Sequence, residues 1–156
     1  MLLIGGLALA VYLTRSEDNL QVDALLAERI SRAIATAQER HTDVDLRQLA
    51  PFEWDHILLV ARGVEPDQIS RRLGYKWNGR IGFQTGELIL FLVRGKAVRF
   101  ADYRGEGRFE GFPKPFALIP RSRAVWTVHD LVIRPARTAS TARALPARTR
   151  PTPAHA

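Results

Sequence analysis

The stretch Glu87–Tyr103 restricts the fold more than any other part of the chain. An apolar strand reads from Glu87 to Arg94, Gly95-Lys96 supplies a tight turn, and Ala97 to Tyr103 form a return strand in which Val98 and Phe100 alternate with Arg99. A run this short, bounded by glycine and followed by period-two alternation, is a β-hairpin rather than a buried helix. A hairpin is not stable alone, so the rest of the chain must supply further strands and a layer to cover the apolar face.

The flanking sequence offers both. Asp55 to Ala61 is another apolar run of strand length, broken by Gly63. Glu65-Pro66-Asp67 then opens a short helix, with proline tolerated in its first turn. Ile69 and Leu73 lie four apart on its inner face, and Gly74 stops it. Asp45 to Leu49 reads as a short extended piece before Pro51, Tyr75 to Gly86 as loop, Phe116 to Ile119 as a brief strand, and Arg123 to Ile133 as a final strand. Upstream, Ser16-Glu17-Asp18 suits a helix start. Leu20, Leu25, Leu26, Ile30, Ala33, Ile34 and Ala37 then form a helical stripe to about Arg40. The expected fold is α+β: a small antiparallel sheet of three to five strands with an N-terminal amphipathic helix and a second short helix.

The ends of the chain differ from this body. Met1 to Leu13 carries no charged side chain and has no polar face, the composition of membrane-inserted sequence. At ~1.5 Å per residue it is shorter than a ~30 Å hydrocarbon layer, and it lacks the basic leader of a signal peptide. The expectation is a membrane anchor whose upstream part precedes the assigned start. Arg15 favours a cytoplasmic side for the residues beyond it. The organisation expected is an anchor at 1–14, a helix or stalk at 15–42, an α+β core at 43–133 and a basic tail at 134–156.

Most of the net charge of +7 belongs to that tail, which holds five arginines and no acid, leaving 18 basic and 16 acidic residues elsewhere. A nearly neutral body is a poor nucleic-acid surface, and the tail, rich in alanine, proline and threonine, is expected to be disordered. The absence of cysteine excludes disulfides, thiolate metal sites, a cysteine nucleophile and a lipidated cysteine.

Three constellations bear on chemistry. Glu53-Trp54-Asp55-His56 is the densest polar cluster; on an extended strand Glu53 and Asp55 share a face and could act as an acid/base pair. The competing reading has Asp55 accepting backbone hydrogen bonds from a neighbouring loop while Trp54 fills the core. His56, His129 and Asp130 make a minimal metal set in composition but lack helical ligand spacing. Trp54, Tyr75, Trp77 and Phe83 lie among Arg62, Arg71, Arg72, Lys76 and Arg80, a pattern shared by binding hot spots and by the rim of an ordinary core. The serines lack a nucleophile elbow and Gly105-Glu106-Gly107 lacks the setting of a phosphate loop, so no cofactor is expected.

Phe52, Trp54 and Asp55, then Leu73, Gly74 and Trp77, then Leu90 to Val93, Gly95 and Val98 together resemble an uncharacterised group of small bacterial envelope proteins. In that group an aromatic-x-Trp-Asp motif opens a strand, a short helix ends in Leu-Gly, and a hairpin comes next. The resemblance covers roughly residues 46 to 133 and implies a domain outside the cytoplasm, although this chain has no cysteine to carry a lipid. It implies no activity. The expectation is a membrane-anchored, non-enzymatic interaction module binding an unidentified protein or ligand, with Trp54, Asp55, Tyr75 and Trp77 as candidate binding residues. The alternatives are a small enzyme using a carboxylate/histidine site near Asp55, and a cytoplasmic nucleic-acid-binding or immunity-type protein.

Overall fold

The computed structural model describes residues 20, 22–79 and 86–136. The apolar segment 1–13, Ser16 to Asp18, Phe83 and the tail from residue 137 onward lie outside the described residues.

The fold is α+β, with its strands divided between two four-stranded sheets. Helix α1 spans Ala24–Arg40. Strand β1 (Asp43–Asp45) leads into a single helical turn, α2 (Leu46–Leu49). Strand β2 (His56–Val60), helix α3 (Pro66–Leu73), and strands β3 (Glu87–Val93) and β4 (Lys96–Tyr103) come next. The two-residue β5 (Arg108–Phe109), β6 (Phe116–Pro120), a 3₁₀ turn at Arg121–Arg123, β7 (Val125–His129) and β8 (Val132–Pro135) complete the fold.

The central sheet has the order β4-β3-β2-β6, all antiparallel. The second has the order β1-β7-β8-β5, antiparallel except for the parallel β5–β8 pair. One face of the central sheet contributes Ile57, Leu59, Ile89 and Phe91 to a core shared with α1 and the second sheet. The opposite face contributes Leu58, Val60, Leu88, Leu90 and Phe100 to a smaller core under Ile69 of α3 and Trp77. Coverage on both faces explains why β2 and β3 read as unbroken apolar runs instead of alternating.

Helix α1 starts later than the stripe implies. Its N-cap is Asp23, and Leu26, Ile30, Ile34 and Ala37 face the core while Leu25 is 72% exposed. Each of those large aliphatics, fully buried, contributes roughly 1.5–3 kcal/mol, so α1 is an integral layer of the domain. Asp23 is fastened at every polar group. Its N–H donates to the Phe100 carbonyl at 2.9 Å, beside a Val22–Phe100 bridge on the outer edge of β4. Its own carbonyl accepts from Ala27, Oδ1 accepts from the Leu26 N–H at 2.9 Å, and Oδ2 takes the Arg99 guanidinium at 3.0 Å.

Helix α3 matches the expectation residue for residue: Glu65 and Gln68 form a capping box, and Gly74 closes the helix at φ +78°. Other elements differ. Asp45 ends a strand and caps α2 by accepting the Arg47 N–H, so Leu46–Leu49 is helical instead of extended. The hairpin turn is Arg94-Gly95, both at positive φ, as a two-residue turn joining twisted strands requires. A register irregularity at Phe91/Leu92 leaves Val98 exposed, while Phe100 to Tyr103 are all buried because both faces are covered there. The expected last strand is a hairpin, β7–β8, turning at Asp130-Leu131 with both residues at positive φ. The Leu131 N–H donates to Gln38 Oε1 at 3.0 Å, and this contact from α1 secures a turn that has no glycine. Arg134 and Pro135, expected in the tail, belong to β8, and Arg134 pairs with Glu110 at 2.7 Å.

Candidate functional site

Asp55 is the residue around which this end of the domain is organised. It precedes β2, where three chain segments meet. Its N–H donates to the Leu92 carbonyl of β3 at 2.8 Å, and its carbonyl accepts from the Arg121 N–H at 2.8 Å, just beyond β6. Oδ2 accepts the N–H of Arg94 in the β3–β4 turn at 2.6 Å, while Oδ1 lies 2.9 Å from His56 Nδ1. These partners, the turn N–H first and the imidazole second, hold the carboxyl below its usual titration range. The Asp55 side chain is therefore a turn-pinning acceptor, the role the competing sequence reading assigns it.

The aromatics of the same motif are core. Trp54 is 3% exposed, donates its indole N–H to the Ala50 carbonyl at 3.0 Å, and meets Phe91 edge-on. Phe52 also packs edge-on against Phe91, with ring centroids 5.3 Å apart. Arg121 lies over the Trp54 ring and Arg99 over Phe52, so cations close the aromatic cluster from outside. Glu53 is exposed and outside any strand, so no shared strand face pairs it with Asp55.

Tyr75 and Trp77 also separate from the expected contact surface. Trp77 is 6% exposed, with its ring 5.1 Å from Phe100, and it crosses Gly79 so closely that a Cβ there would lie 2.0 Å from the indole. Glycine is therefore required two residues after the tryptophan. Tyr75 is half-buried; its hydroxyl accepts the Ala97 N–H at 2.8 Å, and Lys96 lies over its ring. These contacts fasten the residue just after α3 to the start of β4.

The structure places an open cleft of about 350 Å³ beside Asp55. Its floor is aliphatic: Leu58 from β2, Leu92 from β3, Leu118 from β6 and Leu73 from α3. The register sets Leu58 opposite both Leu90 and Leu118, placing Leu118 on the same sheet face as Leu58. Helix α3 is too short to reach the β6 edge, and Leu118 remains 49% exposed. Arg72, Arg94 and the Asp55–His56 pair form the polar rim. No acid or amide of the described residues engages the Arg72 or Arg94 guanidinium.

No family model, curated protein or solved structure matches this chain.

Among the described residues no group of three or more His, Asp or Glu side chains is gathered as a metal requires. His129 and Asp130 contact each other at 3.0 Å in an exposed turn. No helix of the described residues is long and apolar enough to cross a membrane. Asp55 and His56, singled out in the sequence, line this cleft together with Leu118 and Arg94, which were not. Leu118 gave one signal, a large aliphatic on a strand ending in proline.

Proposed function

We propose that this protein is a non-enzymatic binding module whose ligand seats in the cleft formed by Leu58, Leu73, Leu92 and Leu118, and that residues 1–13 hold it at a membrane of the bacterial envelope with the folded body outside the cytoplasm. The observation that carries the binding reading is the combination of an aliphatic floor with a half-exposed Leu118 and two arginines whose guanidinium groups meet no acid among the described residues. Concave, mostly apolar sites with a few convergent polar groups are where proteins take ligands. A binding reading is favoured over an acid/base one because both oxygens of Asp55 are already occupied, Oδ2 by a main-chain donor of the fold itself.

The membrane part rests on the composition of Met1 to Leu13. Fractionation tests it: the full chain should sediment with membranes, and Leu7→Arg with Leu9→Arg should release it. A full chain that stays in the soluble fraction refutes tethering. The cleft is tested by amide and methyl NMR of the folded body against a fragment library. Hits should perturb Leu58, Leu92 and Leu118; hits confined to another surface refute the assignment.

A further inference from the structure

Resting on the cleft reading above, we propose that the ligand is the C-terminus of an extended peptide ending in an aliphatic residue. The cleft's charge is one-sided. Arg72 in the last turn of α3 and Arg94 in the β3–β4 turn both line it, and neither meets a carboxylate among the described residues. Asp55, the one acid among the described residues of the rim, already accepts from the Arg94 N–H and contacts His56. Two cations over a leucine floor match a ligand with an apolar body and an anionic end. Guanidinium forks suit a planar carboxylate, which they bind through paired hydrogen bonds.

The outer edge of β6 favours a peptide over a free fatty acid. The Ala61 N–H donates to the Pro115 carbonyl and the Arg121 N–H to the Asp55 carbonyl, which fixes the phase of the β2–β6 ladder. Ala117 and Ile119 therefore bond inward to β2. Phe116 and Leu118 direct their N–H and C=O groups to the open edge, because β6 ends the sheet order. Leu118 belongs to both features: its side chain lines the cleft and its main chain lies on the free edge. A peptide backbone can use those groups, as in strand addition, and an acyl chain cannot. Pro120 has no N–H and terminates pairing at the end of the strand nearest Asp55.

The experiment measures binding of tetrapeptides Ac-Gly-Ser-Val-X, with X as Leu, Ile, Val or Phe, to the full chain in detergent. Each is compared with its C-terminal amide and with decanoate. At least one free acid should bind and shift Leu58, Leu92 and Leu118, its amide should bind at least about tenfold more weakly, and Arg72→Gln with Arg94→Gln should weaken the acid alone to the same degree. Equal binding of acid and amide, or no response to the arginine changes, overturns the carboxylate assignment; if the shifts still map to the cleft, the broader binding reading survives. Decanoate binding in preference to every peptide overturns the peptide assignment. No binding by any of the panel at millimolar concentration refutes the proposal.

Discussion

Replacing Asp55 by alanine separates a structural carboxylate from a chemical one. The substitution removes the acceptor for the Arg94 N–H and the partner of His56 Nδ1, and leaves the main-chain bonds to Leu92 and Arg121 in place. A hydrogen bond to a charged acceptor contributes about 1.5–3 kcal/mol when desolvated. The Asp55 side chain is 41% exposed, so water can replace part of what is lost. The expected cost is about 1–1.5 kcal/mol after that discount, or roughly 4–6 °C in Tm for a folded body of this size. Asp55→Asn retains an acceptor for Arg94 and should lose about half as much. The carboxyl titrates below its ordinary 3.8 in the folded state, so its contribution is present above that pH and disappears as pH falls through the lower folded value. Urea unfolding of wild type and Asp55→Ala at pH 7 and pH 3 measures both effects. The gap between them should be open at pH 7 and narrower at pH 3. An unchanged midpoint at pH 7, or a gap as wide in acid as at neutrality, refutes the turn-pinning role.

Two other changes have outcomes fixed by burial. Trp77→Ala should destabilise the domain by about 3–5 kcal/mol, the range for deleting a large buried aromatic, because the ring fills the core under α3; a Tm within a degree of wild type would return Trp77 to the surface. The Tyr103 phenol is pushed up to about 12, first by burial and then by the charges of Glu87 and Glu106. With the folded value raised above the unfolded 10.0, stability is complete below pH 10.0 and declines as pH rises towards 12. Tyr103→Phe should flatten that alkaline loss in unfolding experiments between those limits, and an identical alkaline limb in both proteins would show that Tyr103 does not cause it.

Local signals in the chain carried much of this fold. Helix α3 was legible in full because its start, inner face and stop are each encoded within a few residues. The β3–β4 hairpin was legible to within one residue, the error arising because Arg94 takes a positive φ that glycine or asparagine usually signals. The β7–β8 turn was not legible, since Asp130-Leu131 is held by Gln38, far away in the sequence. The division into two sheets was equally hidden, because an apolar run does not state which of two faces its neighbours cover. At the site, Asp55 could be read as a strand-opening acceptor. The cleft could not, since it exists only because an eight-residue helix leaves the β6 side of the sheet uncovered.

Asp23 also gives the domain a definite mechanical attachment. Tension arriving along the chain from upstream meets a residue clamped to both the edge of the central sheet and the first turn of α1. The load divides between strand and helix before either can peel, so the body should pivot about this point as a rigid unit. Val22, bridged to Phe100 just upstream, is 42% exposed, so losing that bridge uncovers no residue of the buried core.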